Sequence, residues 1–234
     1  MKVGVLCEFS GVVRDAFLRR GHDAVSCDLL PTESEGPHIQ GDCLEQDWSE
    51  FDLLICHPPC TYLAVSGLHW NNKQPERTAK TEKALEFVRQ LLNLPTHRIA
   101  LENPVSCIST RIRKPDQIIQ PWMFGHDASK KTCLWLKNLP ELRPTDIVEH
   151  PAWVRCESCD DFICTLHGEH VADCKCPDID TWAAKGIDPY TSGGRYANQT
   201  PSGQNKLGPS PDRWKKRSTT YRGIAEAMAD QWSF

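Results

Sequence analysis

The sequence lacks the features that would place it in or across a membrane. No apolar run is long enough to span a bilayer, and the first residues show no hydrophobic signal-peptide region. An excess of positive charge is also missing, because 31 acidic side chains outnumber 27 basic ones and give a net charge of −4. We therefore expect a soluble cytoplasmic protein, and its net charge gives no global case for nucleic-acid binding, so that local basic clusters are either phosphate-contacting patches or solvated surface. Two such clusters are Arg111, Arg113, Lys114, Lys130, Lys131 and Lys137, and then Arg213, Lys215, Lys216, Arg217 and Arg222.

Cysteine, by contrast, is abundant, with 12 residues in a chain of 234. Most of these cysteines scatter among strand-like runs, which is typical of a reducing compartment where buried thiols act as small hydrophobes. Five crowd into residues 153–178 together with two histidines, and this density favours a structural zinc site over disulfides. The segment has too few apolar residues for a core, so the metal would supply its folding energy. The expected ligands are Cys156, Cys159, Cys174 and Cys176, with Cys164, His167 and His170 as alternates for this site or for a second ion.

Strand-like and helix-like patterns alternate in the first half, which predicts βαβ units and a parallel sheet. Residues 184–217 have little periodicity and are predicted to be loop or linker, whereas a last helix is expected to return and pack on the first domain. The predicted domains are a Rossmann-like unit of residues 1–140 and 218–234, and a small zinc-binding segment with a linker at 141–217. The expected strands are 3–7, 24–27, 52–56, 98–101 and 132–136, and the expected helices are 12–20, 79 to just before Pro95, and one containing Ile224, Ala225, Met228 and Trp232.

A thiol and a carboxylate each follow a predicted strand. The apolar run 52–56 ends in His57-Pro58-Pro59-Cys60, in which two prolines hold the cysteine rigidly. The run 98–101 ends in Glu102-Asn103-Pro104. Since the carboxyl ends of parallel strands meet at one edge of a sheet, Cys60 and Glu102 are predicted to share a pocket as nucleophile and acid.

The order of strand, turn and helix at the start of the chain is typical of nucleotide binding. Gly11 lies in the first turn, where the helix N-terminus offers free N–H groups, and Asp28 ends the second strand, where it can accept from ribose hydroxyls. Asp42 could contact an adenine amino group. A G-x-G-x-x-G loop for a dinucleotide pyrophosphate is missing, which favours S-adenosylmethionine because it carries no phosphate.

Together these motifs resemble DNA cytosine-5 methyltransferases, and more closely the small phage or prophage-type members. Their order in the chain strengthens the resemblance, which covers residues 1–137 and resumes at 218–232. The carrying motifs are Phe9-Ser10-Gly11, Asp28, Gly41-Asp42, Pro58-Pro59-Cys60, Glu102-Asn103-Pro104 and Tyr221-Arg222-Gly223-Ile224.

The resemblance implies an S-adenosylmethionine-dependent methyltransferase fold in a bacterial or phage-infected cell. It also implies that the segment 141–217 stands in the place of the target-recognition domain, where it either contacts nucleic acid or is only a structural staple. It implies that the Cys60 thiolate adds to carbon 6 of cytosine and that Glu102 protonates or hydrogen-bonds ring nitrogen 3. The target base would be flipped out of DNA or already unpaired. Arg111 and Arg113 match the spacing of the family's arginine motif, and Ser129-Lys130-Lys131 is a second candidate. The implied cofactor residues are Phe9, Ser10, Gly11, Asp28, Asp42 and Pro58.

The chain also departs from the family pattern. Val13 replaces the second glycine of the cofactor turn, His57 stands where a glycine usually precedes the nucleophile motif, and the final Gly-Asn-Ala is missing. Two alternatives therefore stay open. One is a zinc-containing nucleic-acid-binding protein on a degenerate methyltransferase scaffold, and the other is a folate-dependent enzyme that modifies carbon 5 of a pyrimidine nucleotide.

Overall fold

The computed structural model describes residues 1–148, 153–155, 162–164, 196–200 and 205–234. Seven strands form one sheet, and two further strands pair as a separate ribbon. The strands are β1 Lys2–Leu6, β2 Asp23–Asp28, β3 His38–Gln40, β4 Leu53–Cys56, β5 Arg98–Pro104, β6 Gln117–Ile119, β7 Thr132–Lys137, β8 Trp153–Arg155 and β9 Phe162–Cys164. The helices are α1 Val12–Arg19, α2 Val65–Leu68, α3 Pro75–Leu92, α4 Ile108–Arg111, α5 Arg213–Ser218 and α6 Arg222–Gln231.

The large sheet has the order β3-β2-β1-β4-β5-β7-β6. Strands β1 to β5 run parallel, and only β7 is reversed, since it pairs antiparallel with both of its neighbours. All four residues of β4 are buried, as expected for a central strand covered by helices on both faces. The chain leaves β3 on one side of β1 and re-enters the sheet at β4 on the other side. The sheet therefore has its topological switch point between β1 and β4, where open α/β folds bind their ligands.

Helices cover both faces of the sheet. On one face α1 and α6 pack over side chains such as Val5 and Ile55. On the other face α3 buries Leu85, Val88 and Leu91, whose spacing of three residues matches one side of a helix. The helix begins at Pro75 rather than near residue 79, because proline is well suited to the first helical turn.

The C-terminal helix returns to the first domain, as the sequence predicts. The four side chains expected on its apolar face are all buried. Arg20, which directly follows α1, pairs with Glu226 and Asp230 of α6 and so ties the two helices together at the surface. Gly223 allows the close approach, because a Cβ at this position would lie 1.9 Å from the carbonyl oxygen of Phe124.

None of the described helices is both long and apolar enough to cross a bilayer. The predicted zinc segment, residues 153–178, lies almost entirely outside the described residues, and Cys164 is described only by its backbone as the end of β9. Within the ranges that the structure covers, no three His, Cys, Asp or Glu side chains cluster in a way that could hold a metal. Zinc binding therefore stays a prediction.

Candidate active site

The residues that follow β1 and β4 lie side by side at the switch point. The His57 N–H donates to the Leu6 carbonyl over 2.9 Å and so continues the β1–β4 ladder by one residue. Glu8 follows β1 on the neighbouring side and is buried. The two turns thus bring a histidine and a carboxylate to the edge where the sequence predicts a pocket.

The loop carrying Cys60 is held at several points. The Asn103 amide donates to the Pro58 carbonyl over 2.8 Å, which attaches the loop to the end of β5. The Cys60 carbonyl accepts from the next turn, and Arg77 donates to the Thr61 carbonyl over 2.7 Å. With two prolines fixing its backbone, the loop holds Cys60 partly exposed in a defined position.

Glu102 is directly bonded to His57. His57 Nδ1 lies 2.7 Å from Glu102 Oε2, and each side chain is only 9% exposed. Two buried polar atoms beside them, His57 Nε2 and Asn103 Oδ1, have no partner within the described ranges. Since buried polar groups are nearly always satisfied, atoms left open here are available to a ligand.

The pair has the charge distribution of an ion pair. Burial alone would lower the pKa of His57, but the hydrogen bond and charge of Glu102, helped by Glu8, outweigh burial and raise it. Burial would likewise raise the pKa of Glu102, but the bond to His57 and the charge of Lys130 outweigh burial and lower it. Both shifts favour an imidazolium beside a carboxylate.

Glu8 occupies the N-terminus of α1. Its carboxylate accepts from the backbone N–H of Val13 at 2.7 Å and of Arg14 at 3.2 Å. Burial raises the pKa of Glu8, although His57 and these backbone donors oppose the rise. The structure here differs from the sequence prediction, which left these N–H groups free for a cofactor. Gly11 begins the helix with φ of +72°, a conformation that favours glycine.

A cavity of about 410 Å³ opens beside these turns, at the carboxyl ends of β1, β2 and β4. Both predicted cofactor acids, Asp28 and Asp42, line it. Burial raises the pKa of Asp28. The remaining lining residues are Cys7, Cys27, Leu29, Gly41, Cys43, Pro59, Tyr62, Lys80, Lys83, Ala84 and Phe87.

The other predicted cofactor residues do not line this cavity. Phe9 is buried, and its ring lies 5.6 Å from that of Trp214 on α5. Ser10 donates to Glu8, and Pro58 is a buried residue of the nucleophile loop. These residues shape the turns around the cavity rather than its wall.

Three cysteines line the cavity, which could not be predicted from the sequence. Cys7 and Cys43 have their sulfur atoms 4.0 Å apart, and their mutual hydrogen bond raises the pKa of Cys7 and lowers that of Cys43. Burial raises the pKa of Cys27 to about 12. Seen only in sequence, they were indistinguishable from core thiols.

The two arginines expected in the catalytic group do not lie beside Glu102. Arg111 pairs with Glu82 of α3 over 2.9 Å. Arg113 bonds to Asp116 and to the Leu136 carbonyl, which is at the far end of β7. The second candidate segment comes closer, because the charge of Lys130 acts on both His57 and Glu102.

A basic strip next to the nucleophile loop also escaped the sequence prediction. It consists of Lys73 and three cations of α3, Arg77, Lys80 and Lys83, and none of the four pairs with a carboxylate in the described part of the chain. Arg77 and Lys80 lie over the Tyr62 ring at 4.8 and 5.6 Å, and Lys73 lies 5.2 Å from the Trp70 ring. The three- and four-residue spacing of these cations on a helix was the available signal.

No family model and no curated protein sequence matches this chain. Among solved structures it is similar to one described as a "putative DNA modification methyltransferase encoded within prophage" from E. coli. The TM-score is 0.42 at 14% identity, over 64% of this chain and 52% of that chain. The protein thus spans about half the length of that structure, and the superposition is too loose to transfer residue roles.

Proposed function

We propose that this protein is an S-adenosylmethionine-dependent methyltransferase that modifies carbon 5 of cytosine in DNA. The observation that carries the proposal is the arrangement at the carboxyl edge of the sheet, where Cys60 lies on a braced loop after β4 and the buried acid Glu102 lies near the end of the neighbouring strand β5. Asp28 and Asp42 line the adjoining cavity. Addition to a pyrimidine ring needs this combination of nucleophile and acid beside a site for the methyl donor.

The reaction follows from the two side chains. Cys60 Sγ bonds to carbon 6 while ring nitrogen 3 takes a proton from Glu102, and the electrons move to make carbon 5 nucleophilic. S-adenosylmethionine, when bound, supplies the electrophilic methyl group. Loss of the carbon 5 proton to solvent, followed by loss of the thiolate from carbon 6 and of the proton from nitrogen 3, restores the ring.

The cavity residues fit S-adenosylmethionine. Asp28 and Asp42 would accept from the ribose hydroxyls and the adenine amino group, and Leu29 and Phe87 offer apolar surface to the adenine ring. Because Glu8 fills the N-terminus of α1, a pyrophosphate has no free anion site there, which favours a cofactor without phosphate. A seven-stranded sheet with one reversed strand also suits the methyltransferase fold that the resemblance implies.

DNA as the substrate is supported by the basic strip. Arg77 and Lys80 lie against the nucleophile loop, and the strip makes no ion pairs among the described residues, so its cations remain available to phosphates. Trp70 is 44% exposed beside them and offers a ring on which an unstacked base can lie. A target base must leave its stack to reach Cys60.

The test is transfer of labelled methyl groups from S-adenosylmethionine to single- and double-stranded DNA, followed by nucleoside analysis. We expect 5-methylcytosine with the wild type, none with Cys60→Ser, and wild-type amounts with Cys107→Ser, which removes a buried thiol elsewhere. DNA binding without methyl transfer would instead indicate a zinc-containing nucleic-acid-binding protein on a degenerate methyltransferase scaffold. Methylation of deoxyuridylate with a folate would indicate the nucleotide-modifying alternative.

A further inference from the structure

His57 stands where the resembled family usually has glycine, and the reaction above gives it no role. Its position is nevertheless specific. The imidazole is nine-tenths buried, bonded through Nδ1 to Glu102 over 2.7 Å, and open at Nε2 within the described part of the chain. A side chain that is this buried and bonded to the reacting acid belongs to the reaction site rather than to the packing around it.

The ionisation of Glu102 raises a chemical problem that His57 can solve. Ring nitrogen 3 of cytosine needs a proton as the thiolate adds, and an ionised carboxylate has none to give. The nearest donor is His57 Nδ1, which lies 2.7 Å from Glu102 Oε2 and carries a proton in the imidazolium form. Moving that proton across a 2.7 Å hydrogen bond makes Glu102 a donor without any change in geometry.

We propose that His57 stores the proton that Glu102 delivers to the target base, so that the two side chains act as one acid with one proton. The proposal rests on the proposed function. As Cys60 Sγ bonds to carbon 6, the single proton moves from His57 Nδ1 to Glu102 Oε2 and on to nitrogen 3, which leaves a neutral imidazole beside a carboxylate. When the thiolate leaves, nitrogen 3 returns its proton to Glu102 and the pair resets. No electrons are gained or lost, and the carbon 5 proton leaves separately to solvent.

The groups around the imidazole set the balance of this pair. Glu8, in the turn after β1, favours the protonated imidazole, which its charge stabilises. Lys130, in the segment before β7, disfavours it and instead favours the Glu102 carboxylate, to which Thr132 also bonds. Cys133 on β7 faces the Glu102 charge, which together with burial raises the pKa of that thiol. Glu8 therefore favours the proton on His57 in the resting pair, and the 2.7 Å hydrogen bond is its path to Glu102.

The first test uses His57→Asn, whose amide can still donate to Glu102 but stores no proton. Single-turnover methylation should fall at least tenfold, while the KM for DNA changes less than threefold. The alkaline limb of the rate should move to lower pH, because the raised pKa of His57 keeps the wild-type pair protonated at a pH where Glu102 alone has lost its proton. Rates and a pH profile equal to the wild type would overturn the proposal.

The second test needs no activity. The His57 imidazole, identified by its absence from the His57→Asn spectrum, should titrate by NMR above pH 6.5 in the wild type, and its pKa should fall in Glu102→Gln because the hydrogen bond and charge that raise it are lost. A wild-type His57 that titrates below pH 6.5 would overturn the shared proton. A wild type that transfers no methyl group while its His57 titrates as expected would refute the proposed function and leave the proton pair standing.

Discussion

A charged pair is buried at one end of strands β5 and β7, and another is exposed at the other end. At the carboxyl end of β5, Glu102 is 9% exposed and bonded to an equally buried histidine. At the other end Arg113 and Asp116 pair over 2.7 Å, but each side chain is 38% exposed. Exposed pairs contribute little to stability, whereas buried charges must be compensated by specific partners. The sheet therefore keeps its buried charged pair at its carboxyl edge and an exposed pair at the other end.

Several buried polar atoms without a hydrogen-bond partner also lie at the carboxyl edge of the sheet. Three of the six buried side-chain atoms without a partner in the described ranges belong to His57, Asn103 and Ser106. All three residues follow or end the strands β4 and β5. Such atoms are rare in folded proteins, and their concentration at one edge marks the place where a ligand would complete the hydrogen bonds.

The largest effect in this comparison is expected for Glu102→Gln. The amide keeps the size of the side chain but cannot pass a proton to the base, so single-turnover methylation should fall about 10²- to 10⁴-fold. The matched control is Asp116→Asn at the opposite end of the sheet, which should keep wild-type rates. Equal rates for the wild type and Glu102→Gln would remove Glu102 from the chemistry.

Asp28→Ala tests whether the cofactor binds at the carboxyl end of β2. Loss of hydrogen bonds to the cofactor should weaken S-adenosylmethionine binding by about 1–3 kcal/mol in calorimetry. Asp23→Ala changes the same residue type at the amino end of the strand, away from the cavity, and should leave the affinity unchanged. Equal affinities for the two variants would mean that the cofactor does not bind at Asp28.

Removal of zinc tests whether the predicted metal segment is separate from the sheet. We expect about one zinc per chain, or two if the alternate ligands hold a second ion. Chelation followed by limited proteolysis should cut near residues 153–178 while the sheet domain stays folded, since that domain has its own buried core. Protein purified without zinc, or a whole chain that unfolds on chelation, would refute the separate module.

The smallest effect is expected for Arg111→Ala. Arg111 and Glu82 are each about half exposed, so breaking their pair should cost at most about 1 kcal/mol in denaturant unfolding. Methylation should stay within about twofold of the wild type, because the pair lies apart from Glu102. A loss of activity comparable to that of Glu102→Gln would show that Arg111 takes part in catalysis.

Much of the fold could be predicted from the sequence. The apolar run of β4 and the helical pattern of α3 are local signals, and the structure confirms both. The three residues of β6 carry no distinctive pattern, and the reversed direction of β7 depends on contacts that strand residues do not encode locally. Strand direction therefore had to come from the tertiary structure.

Only the parts of the site that lie at the ends of strands could be predicted from the sequence. The rule for parallel strands brought the Cys60 and Glu102 segments to one edge, but it gave no sign that His57 would bond to a residue 45 positions away. Spacing favoured Arg111 and Arg113 over Lys130, because a motif match does not determine which end of a strand a side chain reaches. The pKa shifts of His57 and Glu102 could not be predicted, since they depend on burial and on charges from four separate segments.

The central claim is that Cys60 attacks carbon 6 of a cytosine in DNA. The most direct measurement is mass spectrometry of the wild type incubated with S-adenosylmethionine and DNA containing 5-fluorocytosine, a base that blocks proton loss from carbon 5. We predict a covalent complex attached at Cys60, absent in Cys60→Ser and present in Cys107→Ser. Methylation of ordinary DNA without any complex on the fluorinated DNA, or a complex attached at another residue, would contradict the account.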